Sequence, residues 1–266
     1  MVLVTRRPFV DPILALLPSD TERGRYETLL DTLSAWKALF NGRRVLDFGA
    51  SWGTSSIALI RLGANEVVGV EPNLSRVEQG RELIPKAAPA AKVSIIHTPD
   101  TTALPFADGE FAFILANGVL EHIPQPRDPY IRELWRILAP DGHLMVSETP
   151  NKYFPKEIHT TSLWFNHWLP RSLAHRRAVR RRRFDPNRAD WDSSGWRGLG
   201  YFELVKSISR YRLIPEQTKL RHRLFAMVGL PSSLIDPGPI WILQKMGLAR
   251  RATPACAAPG SGRQRS

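Results

Sequence analysis

Short apolar runs separated by amphipathic stretches make up most of the first 150 residues. The runs are rich in valine, isoleucine, leucine and phenylalanine, which predicts strands buried on both faces of a sheet. The predicted strands are 44–48, 66–70, 93–96, 111–116 and 143–147. Because the connections are short, the pattern predicts alternating βα units, a mostly parallel sheet and right-handed crossovers. Ligands of such sheets bind beyond the carboxyl ends of the strands.

The amphipathic stretches place apolar side chains at helical spacing. They predict helices at 20–40, 54–62, 74–84 and 127–138. The first of them ends at Asn41-Gly42, a helix-stopping pair. A helix directly before the first strand can cover the ligand site as a lid, or it can simply pack on the sheet, and the pattern does not separate the two. Residues 1–18 are expected to be extended and peripheral.

After Pro150 the helical and strand periodicities weaken, and aromatic, histidine and arginine residues accumulate. We interpret residues 149–184 as an insertion over the carboxyl edge that ends in a basic helix. Residues 201–215 then predict a helix and a strand returning to the sheet, and Gly238 to Met246 predict a final strand. The predicted fold is α/β: a Rossmann-like, doubly wound, mostly parallel sheet with helices on both faces and an antiparallel last strand. A helical, aromatic insertion follows the fifth strand.

Four segments follow from this pattern. Residues 1–42 are an N-terminal extension with the lid helix, and 43–150 are the ligand-binding α/β core. Residues 151–249 hold the aromatic and basic insertion and complete the sheet, while 250–266 have the composition of a disordered tail.

A glycine-rich turn follows the first predicted strand. The sequence Gly49-Ala50-Ser51-Trp52-Gly53 lies between that strand and a helix, where backbone N–H groups can approach a ligand closely. Glu71 ends the next strand, 22 residues past Gly49, close to the spacing at which a carboxylate meets a ribose diol. The turn lacks the Gly-Lys-Ser/Thr of a P-loop, and Ser51 and Thr54 stand where the dehydrogenase pattern needs glycine. Together these features indicate a βαβ nucleotide-binding unit.

Four stretches resemble class I S-adenosylmethionine-dependent methyltransferases in their order and spacing. Two are VLDFGASWG and VVGVEPN, which contain the glycine turn and Glu71. The others are HTPDTTALPFADGEFAFILANGVLEHIPQP and RELWRILAPDGHLMVSETPN. The branch concerned includes the ubiquinone and menaquinone biosynthesis methyltransferases, and the resemblance covers about residues 43–150. It implies S-adenosylmethionine as cofactor, which the strand and helix pattern alone does not.

The resemblance also implies roles for individual residues. Asp47 would hold the first loop and reach the amino group of the cofactor, while the glycine turn would line its methionine part. Glu71 would accept hydrogen bonds from the ribose hydroxyls. Asp100, with Thr101 beside it, would meet the adenine amino group, and Asn117 would lie near the sulfonium. The complete set of implied cofactor-binding residues is Asp47, Gly49, Ala50, Ser51, Gly53, Glu71, Pro72, Asp100, Thr101 and Asn117.

Three positions depart from the family pattern. Ser51 replaces the usual middle glycine, which narrows the loop without abolishing binding, and Ala112 replaces a structural aspartate. Gly118 stands where the quinone methyltransferases commonly carry a glutamate, three residues before Glu121. A metal site that uses Glu121, His122 and that partner is therefore not expected, and we predict no metal.

Methyl transfer from a sulfonium is an in-line displacement, so catalysis depends largely on positioning. An oxygen nucleophile must also lose a proton, which a histidine can accept near neutral pH. His122, just beyond the fourth strand, is the best-placed candidate base, although it could equally fix the shape of its loop. His159 is the second candidate. It shares its segment with Tyr153, Trp164 and Trp168, which could wall an acceptor pocket or simply pack the insertion.

Charge is unevenly distributed along the chain. Residues 1–150 contain 15 Lys/Arg and 18 Asp/Glu, whereas residues 151–266 contain 22 and 7, which gives a net charge of +12 for the whole. Seven arginines lie between Arg171 and Arg183. They could be a solvated helix face, a contact to an anionic membrane surface, or a nucleic-acid contact, and the last is the least favoured. The single cysteine, Cys256, excludes an internal disulfide and fits a reducing cytoplasm.

The predicted function is therefore methyl transfer from S-adenosylmethionine to a small molecule, at an oxygen of a sugar, a lipid-linked glycan or a quinone-like precursor. The alternatives are an RNA methyltransferase that uses the basic half, and a cofactor-binding protein without transferase activity. The expected location is the cytoplasm, with peripheral contact to the inner face of the membrane. The sequence does not indicate the oligomeric state.

Overall fold

A single seven-stranded sheet organises the protein. The computed structural model describes residues 12–17, 19–214 and 236–247, together with 224, 225 and 227. The strands are β1 (Arg44–Phe48), β2 (Glu66–Glu71), β3 (Val93–His97), β4 (Phe111–Asn117), β5 (Leu138–Ser147), β6 (Tyr211–Ile214) and β7 (Trp241–Lys245). They lie in the order β3-β2-β1-β4-β5-β7-β6. The order reverses between β1 and β4, and open α/β sheets bind ligands at such a switch point.

Helices cover both faces of the sheet. Within residues 12–17, 19–214 and 236–247, the α-helices are α1 (Asp20–Ala35), α2 (Thr54–Arg61), α3 (Leu74–Ala87), α4 (Asp128–Ile137), α5 (Arg171–Arg180) and α6 (Tyr201–Val205). Short 3₁₀ helices are η1 (Pro12–Ala15), η2 (Lys37–Leu39), η3 (Leu120–His122) and η4 (Asn166–Trp168). One buried apolar cluster joins α1, α2 and α3 to the sheet, and another joins α4 and α6 to its opposite face. The predicted doubly wound fold is confirmed. Among the described residues, no helix combines the length and apolar character needed to cross a membrane.

The pairing of strands agrees with the sequence pattern except at β5. Strands β1 to β5 are parallel, whereas β7 pairs antiparallel with β5 and β6, as expected for the end of the sheet. β5 begins at Leu138, five residues before the predicted start at His143, because Leu138 already pairs with Phe111. The register then shifts, and Asp141 adopts a left-handed conformation with φ 62°. A bulge therefore occupies the Pro-Asp-Gly segment between the predicted helix and the predicted strand.

The N-terminal segment packs more closely than predicted. Ser19 caps α1 by accepting a hydrogen bond from the Glu22 backbone N–H, which satisfies one free donor of the first turn. Ile13 and Leu17 are buried in the same apolar cluster as α1. The prediction of an extended, peripheral segment is thus wrong for residues 12–17. Residues 1–11 and 18 lie outside the described residues, as does the predicted tail at 250–266.

The segment between β5 and α6 has a small core of its own. The rings of Trp191 and Trp196 stack with centroids 4.8 Å apart, and Ala174 and Ala178 of α5 pack against them. Asn151 and Leu199 form an isolated parallel β-bridge, so the two ends of the segment meet beside the sheet. The intervening loops therefore return to the carboxyl ends of β4 and β5.

Candidate active site at the carboxyl edge of the sheet

The glycine turn after β1 adopts left-handed backbone conformations. Gly49 and Gly53 have φ 76° and 89°, and a Cβ at Gly49 would lie 2.5 Å from Cγ2 of Val119. Ser51 also has a left-handed φ, 51°, which costs a non-glycine residue about 1 kcal/mol. The backbone at Ser51 thus keeps the shape that the usual glycine would have, at some cost. The close contact with Val119 joins the turn to the loop after β4.

Glu71 ends β2 directly beside this turn. Its side chain is 4% exposed and accepts hydrogen bonds from the backbone N–H groups of Ser51 (3.0 Å) and Asn73 (3.1 Å). Each carboxylate oxygen thus has one fixed donor and can accept a further one. An acceptor of this kind beside a glycine turn fits the ribose diol that the sequence resemblance assigns to Glu71.

Asp47, in β1 two residues before the glycine turn, is buried. Both Ser55 and Ser56, in the first turn of α2, donate hydrogen bonds of 2.6 Å to its Oδ2. Burial raises the pKa of Asp47 to about 6, and the Glu71 carboxylate adds to this, whereas the two serine hydrogen bonds oppose it. Asp47 therefore fixes the start of α2. A cationic amino group bound nearby would favour its ionised form.

The residues expected around the adenine follow β2 and β3. Thr98, just after β3, donates its N–H to the Glu71 carbonyl, which places this loop beside the ribose candidate. Asp100 is exposed, and its carboxylate accepts from the Thr102 N–H and hydroxyl, which lowers its pKa. Thr101 is half-buried, and Pro72 is exposed. All four positions lie at the same edge, and their contacts to a cofactor remain a prediction.

Asn117 joins the ends of β4 and β5. Its side-chain oxygen accepts from the Ser147 hydroxyl at 2.7 Å, and its nitrogen donates to Glu148 at 3.2 Å. Partial burial raises the pKa of Glu148, while Asn117 and the Arg25 guanidinium of α1 act against this. Charges of α1 thus reach the carboxyl edge. The carboxylates gathered at this edge would attract a cationic ligand.

His122 and Glu121 lie together in η3, beyond the end of β4. Nδ1 of His122 lies 2.7 Å from the Ser193 carbonyl, which can only accept, so Nδ1 carries a proton, and in a neutral ring Nε2 would present the lone pair. This Nε2 is 4.0 Å from Oε1 of Glu121. Glu121 is buried, which raises its pKa, and its Oε2 accepts from the Thr149 hydroxyl at 2.8 Å. The Ser193 contact also ties the loop of His122 to the insertion, so both roles considered for this histidine remain compatible with the geometry.

His159 reaches the same place from the insertion. Its loop is held by Glu157, a buried carboxylate that accepts hydrogen bonds from the backbone N–H groups of His159, Thr160, Thr161 and Ser162. The rings of His159 and His122 meet edge to face with centroids 5.0 Å apart. Burial lowers the pKa of His159, and His122 adds to the effect.

We call Glu121, His122 and His159 the carboxylate–histidine cluster. Each offers one ligand atom for a metal ion, and these atoms all lie within 4.8 Å of one another. A buried carboxylate with two imidazoles can accept a proton or hold a cation. The sequence pattern proposed two of these residues as candidate bases but did not bring all three into one group.

The aromatic residues of the insertion, which could wall an acceptor pocket or pack the insertion, differ in their exposure. Trp164 and Trp168 are 54% and 53% exposed, and Phe165 between them is 49% exposed. Tyr153 is half-buried against Phe202, with ring centroids 6.1 Å apart. Trp164 and Trp168 therefore lie at the surface, whereas Tyr153 is half-buried.

Comparison with known proteins identifies the domain in which most of this candidate site lies. The family model described as a methyltransferase domain matches residues 45–142, which contain the glycine turn, Glu71 and the first two members of the cluster. Residues 45–142 are a class I S-adenosylmethionine-dependent methyltransferase domain. The predicted family and cofactor are thereby confirmed for this part of the chain.

Similar curated proteins are matched over this domain and little more. A demethylmenaquinone methyltransferase of Clavibacter sepedonicus is 36% identical over 107 residues, 40% of this chain and 41% of that one. The ubiquinone/menaquinone biosynthesis C-methyltransferase UbiE of Roseobacter denitrificans is 28% identical over 130 residues, 47% of this chain and 51% of that one. The chain thus spans about half, or less, of the length of these relatives.

Solved structures agree on the fold. A putative S-adenosyl-L-methionine-dependent methyltransferase from Methanococcus maripaludis superposes with a TM-score of 0.50 at 16% identity, covering 86% of this chain and 88% of that one. The [4+2]-cyclase SpnF superposes with a TM-score of 0.52 at 18% identity, covering 86% and 84%. Because a cyclase shares the fold, the fold alone does not establish the reaction.

Sequence reasoning missed three residues that shape the candidate site. Glu148 directly follows β5 at the carboxyl edge, a position from which it could have been proposed. Glu157 and Ser193 order His159 and His122 through backbone contacts, which no sequence pattern announces.

Proposed function

We propose that this protein transfers a methyl group from S-adenosylmethionine to an oxygen atom of a small-molecule acceptor. The observation that supports this most strongly is the position of the carboxylate–histidine cluster. Val119, which lies against the glycine turn, is two residues before Glu121, so the loop that carries Glu121 and His122 packs against that turn. The place where we expect the acceptor to lose its proton thus adjoins the cofactor side of the edge.

The residues present fit the cofactor. The left-handed glycine turn leaves room for a ligand beside the backbone, and Glu71 can accept from a diol. When bound, S-adenosylmethionine supplies a methyl group whose carbon–sulfur bond breaks as the carbon–oxygen bond forms, with the electron pair remaining on sulfur. The acceptor hydroxyl must lose its proton, and we place that loss at the carboxylate–histidine cluster.

The same geometry supports the proposed acceptor class. Neutral imidazole and carboxylate groups suit a hydroxyl of a sugar, a lipid-linked glycan or a quinone-like precursor. The relatives whose names mention menaquinone and ubiquinone favour a lipid-like acceptor, but one of them is named a C-methyltransferase, so the choice of oxygen rests on the cluster and not on these relatives. We also propose that α1 covers the bound molecules, because Arg25 lies near both Glu148 and His159.

Substitution of the two histidines tests the assignment. In His122→Ala and His159→Ala we expect turnover with each acceptor class, measured as released S-adenosylhomocysteine, to fall by about 10²-fold, a usual contribution of proton transfer. S-adenosylmethionine affinity should stay unchanged. His143→Gln, on β5 away from the carboxyl edge, is the matched control. Wild-type turnover in both alanine variants would remove the cluster from the reaction.

A second surface supports a lipid-linked acceptor. Trp164, Phe165, Trp168 and Leu173 are large apolar side chains with 42% to 54% exposure. Arg177 of α5 donates to the Trp164 carbonyl, which joins the aromatic loop to the arginine-rich helix. We call this the basic–aromatic surface, and it also contains the exposed arginines Arg176, Arg180, Arg181, Arg182 and Arg183.

We propose that the basic–aromatic surface contacts an anionic membrane. Exposed aromatic rings suit the headgroup region, and each arginine near an anionic surface contributes about 1 kcal/mol. Lys156 and Trp164 form an isolated antiparallel β-bridge, and His159 lies in the loop that this bridge closes. Binding would therefore bring the acceptor side of the site to the lipid.

Vesicle sedimentation tests this contact. Replacing Arg176, Arg180 and Arg183 together with glutamine should weaken binding to phosphatidylglycerol vesicles by roughly a hundredfold, since three such charges are lost. The control is the equal charge change at Arg76, Arg81 and Lys92, which are exposed elsewhere. Wild-type protein that binds anionic vesicles no better than phosphatidylcholine vesicles, or that binds single-stranded RNA instead, would contradict the proposal.

A further inference from the structure

We propose that Glu121, His122 and His159 bind a divalent transition-metal cation that holds the acceptor oxygen. The cation would make the acceptor hydroxyl more acidic. This catalytic role rests on the proposed function, whereas metal binding itself does not. No metal was expected from the sequence, because Gly118 replaces the family's glutamate. His159, from the insertion, supplies the third ligand instead.

The buried carboxylate is the first support. The Glu121 side chain is fully buried, and its Oε1 has no hydrogen-bond partner within the described part of the chain. A buried carboxylate oxygen without a donor costs free energy unless a cation or donor compensates it. Oε2 is already held by Thr149, which leaves Oε1 directed toward His122.

The two histidines are oriented as ligands. The Ser193 carbonyl accepts from Nδ1 of His122, which leaves the Nε2 lone pair toward Glu121. Metal-binding histidines typically have their other ring nitrogen fixed by such a contact. His159 is placed by the loop that Glu157 orders through its backbone N–H groups.

The spacing allows binding after a small contraction. The three ligand atoms lie within 4.8 Å of one another, whereas ligands at about 2.1 Å from one metal are roughly 3 to 3.5 Å apart. Side-chain rotation of His159 on its loop can supply that change. Gly195 lies directly against two members of the cluster. A Cβ at this position would lie 2.8 Å from the His159 ring and 3.0 Å from Glu121 Cγ. A residue without a side chain is therefore needed at this position.

Two imidazoles and one carboxylate select the kind of metal. Imidazole suits zinc, iron, cobalt and nickel, whereas magnesium and calcium prefer oxygen ligands. Three protein ligands leave coordination positions open for an acceptor hydroxyl. A hydroxyl bound to the cation passes its proton to solvent water more readily, so the proton loss still occurs at this cluster, where His122 and His159 act by holding the cation.

Metal binding can be measured without turnover. Tag-free, EDTA-dialysed protein is titrated with Zn²⁺ in a calorimeter and with Co²⁺ in a visible spectrometer. We expect one equivalent to bind with micromolar or tighter affinity, and the cobalt complex to show visible absorption bands. Glu121→Gln, His122→Gln and His159→Gln should each weaken binding at least about 10-fold, while His143→Gln should not. Mg²⁺ should not compete.

The outcomes separate the two proposals. Absence of one-equivalent binding, or binding that survives all three substitutions, would overturn the metal site. His159→Gln lies on a surface loop, so it should remain folded even if Glu121→Gln does not. Zinc binding in a protein that does not bind S-adenosylmethionine would support the metal site and remove the proposed function. Loss of turnover on chelation, restored by Zn²⁺ or Co²⁺, would support both.

Discussion

Replacing Arg127 with methionine should lower the free energy of unfolding by about 3 kcal/mol, the usual range for removing one partner of a buried ion pair. Arg127 is 4% exposed and donates to Glu203 at 2.8 Å. It also donates to the carbonyls of Ile123 (2.9 Å), Gly198 (3.0 Å) and Glu121 (3.2 Å). The side chain thus clamps the loop of the carboxylate–histidine cluster to the insertion.

The size of this effect follows from what remains after the substitution. Burial by itself would raise the pKa of Glu203, but Lys152 and Arg127 together lower it, so the carboxylate is ionised and needs its partners. Lys152 at 2.6 Å stays in place, while three carbonyls lose a donor. In a domain of this size we expect the melting temperature to fall by roughly 6 to 12 °C.

Thermal unfolding followed by circular dichroism measures this change. The matched control is Arg132→Met, an exposed arginine on α4, which should leave the melting temperature nearly unchanged. If the Arg127 and Arg132 variants unfolded at the same temperature, the buried clamp would not contribute to stability.

The second large effect concerns Glu71. We expect Glu71→Ala to weaken S-adenosylmethionine binding about 100-fold, because hydrogen bonds from a ribose diol to a carboxylate contribute about 1.5 to 3 kcal/mol each. Glu71 also fixes the Ser51 and Asn73 backbone, so part of the loss comes from a looser turn. Both contributions act in the same direction.

Calorimetry on two variants of the same strand checks this. Glu66 begins β2 at the opposite edge and pairs with Arg44 on the surface, so Glu66→Ala should bind like wild type. Equal affinities in the Glu71 and Glu66 variants would show that the cofactor does not contact β2 as proposed.

Much of the core could be predicted because its information is local. The apolar runs define β1 to β4 closely, and the glycine turn with Glu71 identifies the edge where the site lies. The early start of β5 was missed because Leu138 pairs with Phe111 across a register shift, which periodicity does not report. Burial of Ile13 depends on contacts with α1 and the core. The short apolar segment 12–17 does not reveal these contacts in its own sequence.

The acceptor side could not be predicted in the same way. Glu121 and His159 are distant along the chain, and they meet only because Asn151 and Leu199 anchor the insertion beside β5. Glu157 and Ser193 then orient the two histidines through backbone hydrogen bonds. Such long-range placement leaves no periodic trace, so the individual histidines were proposed but their common site was not.

Calorimetric titration of the intact protein with S-adenosylmethionine and S-adenosylhomocysteine tests the central claim most directly. We expect one site per chain with micromolar affinity for both, accompanied by a rise in melting temperature. S-adenosylhomocysteine lacks the positive charge of the sulfonium but should still bind, because the proposed contacts of the glycine turn and Glu71 are to parts that both molecules share. A folded protein that binds neither molecule, by heat or by melting temperature, would contradict its assignment as a methyltransferase.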